Sequence, residues 1–424
     1  MLYERWCRIA AERPQEVALR DPGTERRWTF AELRAVGEST SATGDILHPQ
    51  GHVPEFVFTL LAAWRTGKVA CPLEPGEPPP AVPLPPSPCI HLKATSATTG
   101  RPRWVAFTAA QLAADADNIV ATMGLRPDWP NLGVISMAHS YGFSNLVLQL
   151  LLHGIPLLLT PVPLPEAVRL AAQAEPAITL AAVPALWRAW HEAHAIPPTV
   201  RLAISAGAPL PVELEQAVFH SGGLKIHNFY GSTECGGIAY DDSNTPRTDE
   251  AFVGSSLRHV KLSVSQDGCL MVRSRAVGQT YWPEPTDSLG EGRFQTSDLV
   301  ELQEGNVFLR GRVSDQINVA GRKVSPAVIE HVLRQHEAVS GCLVFGAPTD
   351  DVDRGETIVA CVEVQSPIGA DALRRFLQER LPAWQVPREW WFVDSLQANS
   401  RGKISRNHWR EQFLRRHERP PQAQ

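Results

Sequence analysis

The chain has 424 residues, with 40 Lys and Arg against 45 Asp and Glu, a net charge of −5. Its 43% apolar and 20% charged content is that of an ordinary globular protein, which excludes disordered, collagen-like and coiled-coil chains. The length predicts two or three domains, and the mildly negative balance gives no reason to expect a nucleic-acid partner.

The N-terminus, Met1-Leu2-Tyr3-Glu4-Arg5-Trp6, lacks a signal-peptide pattern. The seven cysteines (Cys7, Cys71, Cys89, Cys235, Cys269, Cys342, Cys361) are scattered and form no CxxC pair. Reduced thiols in a cytoplasmic protein are therefore expected. Trp28-Thr29-Phe30 reads as a strand end entering a helix capped by Thr29, and Glu55–Trp64 as an apolar helix ending near Gly67. Val69–Leu73 reads as a short buried strand. Proline is in excess, 36 residues where the usual share of about 5% would give roughly 21. Nine of them lie in residues 72–88, which predicts a stiff, extended connector.

Beyond the connector, apolar runs alternate with helical stretches: Val134–Met137, Ile155–Thr160, Ile178–Ala182, Leu202–Ser205 and Lys225–Phe229. This predicts an α/β fold with mainly parallel sheets. No run reaches the roughly 18 apolar residues of a membrane span. The nearest, Val147–Leu159, is broken by Gln149, His153, Gly154 and Pro156, and reads as a strand or helix, a turn and a strand. From about residue 251 short strands and Gly-rich turns predict a small β-subdomain. Residues 312–424 return to mixed α and β, with helices after Ser325-Pro326 and near Asp371–Arg380, and a last helix docking Trp409 and Phe413. The expected division is a large domain over 1–311 and a small α+β lid over 312–424.

Five segments carry chemistry. Thr95-Ser96-Ala97-Thr98-Thr99-Gly100-Arg101-Pro102-Arg103 joins two predicted strands. Its hydroxyls, backbone N–H groups and arginines suit phosphate oxygens, although it is not a GxxxxGK[ST] loop. Asn228-Phe229-Tyr230-Gly231-Ser232-Thr233-Glu234 ends a predicted parallel strand, where ligands bind in open α/β sheets. In Phe294–Val300, Asp298 suits a ribose diol. Gly311–Val324 and Ser400–Arg406 are basic loops. Taken singly, each also reads as a polar turn.

Together and in this order, the five segments resemble the core motifs of the adenylate-forming superfamily: acyl- and aryl-CoA synthetases, peptide-synthetase adenylation domains and luciferase-like enzymes. The resemblance runs from about Glu12 to Arg406 and includes Arg201–Leu210 and Gly278–Pro283. It implies that ATP and a carboxylic acid form an acyl adenylate and pyrophosphate, with transfer to a thiol, CoA or an acyl carrier protein. Thr95, Ser96, Thr98, Thr99, Gly100 and Arg103 match the phosphate loop. Thr233 matches a position near the α-phosphate and Glu234 the Mg²⁺ ligand, with Asn228, Tyr230 and Gly231 beside the nucleotide. Asp298 matches the ribose-binding aspartate and Arg312 its neighbouring arginine. Lys403 matches the catalytic lysine, a compact mobile charge that bridges carboxylate and phosphate. His139 matches the side chain that gates the acyl pocket, lined by Tyr141, Phe143, Ala206, Gly207, Asn228, Phe229, Gly236 and Gly237. Ser314 matches the hinge of a rotating lid, and Gly321 and Lys323 the lid face presented for thiol attack.

Departures from the pattern are Ala97 for glycine, Arg103 for lysine, Ser314 for Asp or Lys, and Gln397 and Asn399 for proline and threonine. No Asp stands where amino-acid-activating relatives anchor an amine, so an aromatic or medium-chain fatty acid is expected. The alternatives are a ligase loading a carrier protein or another nucleophile, and a non-catalytic nucleotide- or acyl-binding relative. A monomer or homodimer is expected. The His191/His194 pair reads as surface helix residues, and Asp350, Asp351 and Asp353 as a solvated loop. The chain is short for this family, and the proline connector occupies the gap where relatives carry a strand and helix.

Overall fold

The computed structural model describes residues 1–95, 103–160, 162–173, 175–349, 355–396 and 404–418. Local chemistry sets several elements. Helix Phe30–Ser39 starts in a capping box: the Thr29 hydroxyl accepts from the Glu32 amide at 3.2 Å, and the Glu32 carboxylate accepts from the Thr29 amide at 2.8 Å. Helix Pro54–Thr66 has proline in its first turn and stops at Gly67, whose φ of 66° is open to glycine at no steric cost. Val147–Leu159 resolves as a π-helical turn, Phe143–Val147, then helix Leu148–His153, a turn and strand Leu157–Leu159.

Among the described residues the largest sheet has 14 strands. One half is parallel: Ile226–Ser232, Val200–Ser205, Ile178–Ala182, Asn131–Gly133, Leu157–Leu159 and Val17–Asp21 lie side by side. Val134–Met137, expected to form a strand, follows the short strand Asn131–Gly133 instead. The other half is antiparallel: Gly236–Tyr240, Phe252–Ser256, Asn306–Arg312, Arg293–Gln303, Cys269–Arg273 and Lys261–Val264. The short strands expected beyond residue 251 are thus continuous with the main sheet. Ile226–Ser232 joins the two halves. Its neighbour Val200–Ser205 runs parallel and its neighbour Gly236–Tyr240 antiparallel.

A second sheet orders Thr280–Trp282, Trp104–Thr108, Cys89–Ala94, Val69–Ala70 and Ile46–Leu47. Val69–Ala70 and Cys89–Ala94 are parallel neighbours. Parallel neighbours need a crossover, usually helical; here the proline segment makes it, with no helix or strand over residues 74–88. It is tied down at both ends. Gln50 Nε2 donates to the Glu74 and Glu77 carbonyls at 2.9 Å, and Trp282 Nε1 to the Pro83 carbonyl at 2.8 Å.

The C-terminal region has its own core. Val339–Pro348, Glu356–Val364 and Glu389–Val393 form a three-stranded sheet. Helices Pro326–Arg334 and Ala370–Gln378 cover one face through Ile329, Leu333, Leu373 and Leu377. Helix Arg406–Glu418 covers the other with Trp409 and Phe413, against Phe345 and Trp391. Among the described residues no helix is long and apolar enough to cross a membrane.

Candidate active site

A cavity of about 1590 Å³ opens where strand Ile226–Ser232 ends. That exceeds the roughly 300–1,000 Å³ of an ordinary ligand pocket, so there is room for two reactants side by side. The strand's change from parallel to antiparallel pairing makes this opening. Beyond its end, Gly236 takes φ 69°, and a Cβ there would meet Asp115 Oδ1 at 2.0 Å. Only glycine lets the chain turn over that carboxylate.

On one side, Asp298 and Arg312 face each other from paired positions of adjacent strands. Arg312 Nε donates to Asp298 Oδ1 at 2.6 Å, and the Tyr230 hydroxyl donates to Oδ2 at 2.5 Å. Asp298 raises the pKa of Arg312, and burial, with Asp298 adding to it, pushes the Tyr230 phenol well above its ordinary value. Both groups keep their protons and donate to the Asp298 carboxyl, whose oxygens are acceptors suited to a diol.

Thr233 and Glu234 lie nearby on the wall, and Glu234 Oε1 accepts from the Tyr281 hydroxyl at 2.9 Å. The Arg103 guanidinium covers the Tyr281 ring at 3.9 Å. Thr95 and Arg103 flank residues 96–102, with the Thr95 amide donating to the Arg103 carbonyl at 2.8 Å. Ser96, Ala97, Thr98, Thr99 and Gly100 lie outside the described residues, as do Gln397, Asn399, Lys403 and the acidic loop Asp350, Asp351 and Asp353. Among the described residues no cluster of three His, Cys, Asp or Glu could hold a metal. One carboxylate, Glu234, on the cavity wall fits Mg²⁺, which takes one or two carboxylates and completes its shell with phosphates and water.

On the other side, His139 Nε2 meets Glu74 Oε1 at 2.9 Å, and the Ser136 hydroxyl donates to the same oxygen. Glu74 comes from the start of the proline connector. Tyr141, Phe229, Ala206, Gly207 and Gly236 form the slot behind His139. The Tyr141 ring lies 6.1 Å from that of Phe229. Its hydroxyl reaches the Ala182 and Ile204 carbonyls at 3.4 Å, at the ends of two parallel strands. Phe143 and Asn228 do not line the slot. Phe143, in the π-helical turn, is 1% exposed and packs in the core, its ring 4.3 Å from that of His91 and tilted by 31°. The Asn228 carbonyl accepts from Asp241 within the sheet.

Ser314 lies in the 3-10 turn Val313–Asp315. Gly321 and Lys323 belong to the hairpin Ile317–Val319/Arg322–Val324, away from the cavity wall, with Gly321 (φ 78°) at its tip. His194, expected on a helix, lies past its end with φ 51°. Sequence reading passed over Glu74, Ser140, Ser144 and Lys93. The visible signal for Lys93 was a lysine in the otherwise apolar run Cys89-Ile90-His91-Leu92.

Two family models match the chain: AMP-binding enzyme over residues 76–282 and AMP-binding enzyme C-terminal domain over residues 328–403. Feruloyl-CoA synthase of Amycolatopsis sp. is 28% identical over 389 residues, covering 85% of this chain and 78% of that protein. The 2-succinylbenzoate–CoA ligase of Bacillus cereus (strain ZK / E33L) is 28% identical over 337 residues, covering 75% and 68%. In fold, the chain resembles o-succinylbenzoate CoA synthetase of Bacillus subtilis, solved with its acyl-adenylate intermediate. The TM-score is 0.82 at 21% identity, over 96% of this chain and 97% of that one. With both family models matched in order along the chain, the chain belongs to the AMP-binding enzymes, the adenylate-forming superfamily of acyl- and aryl-CoA synthetases, which are AMP-forming acid–thiol ligases.

Proposed function

We propose that this chain activates an aromatic carboxylic acid, or a medium-chain fatty acid, with ATP and passes the acyl group to CoA. The observation that carries the reading is a single cavity with the Asp298–Arg312–Tyr230 cluster on one side and the Tyr141–Phe229 slot on the other. Attack of a carboxylate on the α-phosphate brings two anions together, and oriented donors and cations relieve that repulsion. Asp298 would accept both ribose hydroxyls, and Arg312, donating to Oδ1, would orient it. The loop between Thr95 and Arg103 would hold the β- and γ-phosphates, and Thr233 the α-phosphate oxygens. Mg²⁺, held by Glu234 and phosphate oxygens, would neutralise charge on the leaving pyrophosphate. His139, oriented by Glu74, would close the acyl slot. Lys403 would bring an ammonium between carboxylate and phosphate.

The division at Arg312 would let residues 312–424 rotate about Ser314, delivering Lys403 for the first half-reaction and the Gly321–Lys323 face for the second. The enzyme would work in the cytoplasm as a monomer or homodimer. Pyrophosphate release driven by a panel of carboxylic acids, with and without CoA, tests the reading. Release with an aromatic acid and thioester formation with CoA support it, and folded protein that releases none with any acid overturns it. Adenylate formed without a CoA thioester would point to a carrier protein or another nucleophile. Lys403→Ala should lower adenylation by at least a hundredfold while thioester formation from a supplied acyl adenylate survives.

A further inference from the structure

Behind the acyl slot lies a buried charge that this mechanism does not use. Lys93, on strand Cys89–Ala94, is 2% exposed. Its ammonium lies 3.2 Å from Ser144 Oγ, 3.4 Å from Ser140 Oγ and 3.9 Å from Asp115 Oδ2. The rings of Phe107 and Phe143 flank it at 4.9 and 5.4 Å. Asp115 is held by other donors, the Ser144 hydroxyl at 2.6 Å and the Gly237 amide at 3.1 Å. Burial lowers the Lys93 pKa, and Asp115 opposes that shift.

The two serines are left in different states. The Ser144 proton is committed to Asp115. Ser140 accepts from Lys93, its own proton has no acceptor among the described residues, and it lines the cavity. A hydroxyl whose oxygen accepts from an ammonium is a strengthened donor. Ser140 is therefore a donor on the cavity wall with its proton unused among the described residues.

We infer that Ser140, polarised by Lys93, forms a subsite for an oxygen substituent on the ring of the acid, and that Lys93 is a positioning residue for substrate choice. The inference rests on the proposed activation of an aromatic acid. A ring hydroxyl accepts from Ser140. A methyl group of the same size leaves Ser140 unpaired in a dry wall, a loss of about tenfold in kcat/KM.

The test compares ring-hydroxylated and ring-methylated aromatic acids, matched at each ring position, by pyrophosphate release. The expected hydroxyl-to-methyl ratio of kcat/KM is about ten or more at one ring position. Ser140→Ala should bring it close to one, Lys93→Met should do the same, and the double variant should fall no further. A purely structural role for Lys93 would lower both acids together and leave the ratio unchanged. Ser140, on the cavity wall, keeps the test decisive should Lys93→Met fail to fold. A wild-type ratio near one with the methyl acid turned over, or an unmoved ratio in Ser140→Ala, overturns the subsite alone. No release with either acid overturns the activation of an aromatic acid on which the subsite rests.

Discussion

Two buried carboxylates in this molecule, Glu215 and Asp115, meet lysines under opposite arrangements. Glu215 is 0% exposed and closed on every side. It takes the Lys225 ammonium on one oxygen and Arg247 Nε on the other at 2.7 Å, with the Arg247 amide adding a bond at 3.0 Å. Lys225 also reaches Asp241 at 2.6 Å, and Arg247 finishes on the Leu210 and Phe252 carbonyls. Asp115 keeps its lysine at 3.9 Å and shares it with a serine on the cavity wall. Burial makes every missing partner costly, so a closed network serves the fold, whereas an open one leaves bonding capacity for a ligand.

The sharpest way to break this comparison is Glu215→Ala, which takes a shared carboxylate from two buried cations at once, leaving Lys225 to Asp241 and Arg247 to backbone carbonyls. It should cost about 5 kcal/mol in urea unfolding, the upper end for a broken buried pair. The KM values for ATP and acid should not change where it still folds. Lys93→Met should cost less, about 2–3 kcal/mol, because Asp115 keeps the Ser144 hydroxyl and the Gly237 amide. A larger loss than that of Glu215→Ala would reverse the contrast.

Asp298→Asn probes a third anion, one facing the cavity. It removes the charge beside Arg312 and should raise the KM for ATP about tenfold, leaving the hydroxyl-to-methyl preference untouched. The smallest effect belongs to the surface. Asp117 binds His153 and Arg5, which hold its pKa down to about 2. Its unfolded value is about 3.9, so its contribution is complete above that pH and fades as the pH falls towards 2. Half-exposed as it is, it should add under ~1 kcal/mol. Acid titration of unfolding in Asp117→Asn should lose that slope, as should wild type in high salt.

Elements with a local cause were legible. The capping box at Thr29 and Glu32, the αL stop at Gly67 and the terminal helix with Trp409 and Phe413 all depend on residues a few positions apart. Strand Asn131–Gly133 was not, because three buried residues beside Val134 and Ile135 show no period of their own. In the site, Thr233, Glu234, Asp298 and Arg312 were legible as motifs. Glu74 was hidden in the proline connector, whose extended course could be read but not its destination. Phe143 was misplaced onto the slot because a π-helical turn shifts which side chains face inward.

By itself, the sequence determined the family, the order of its motifs and the stiffness of residues 72–88, since each depends on neighbours along the chain. The tertiary structure alone decided that this segment makes the crossover between two parallel strands without a helix and brings Glu74 to His139. It also decided that Lys93 stands behind Ser140. Those pairs are 65 and 47 positions apart, and only the packing of two sheets around one cavity brings such distant side chains within hydrogen-bond reach.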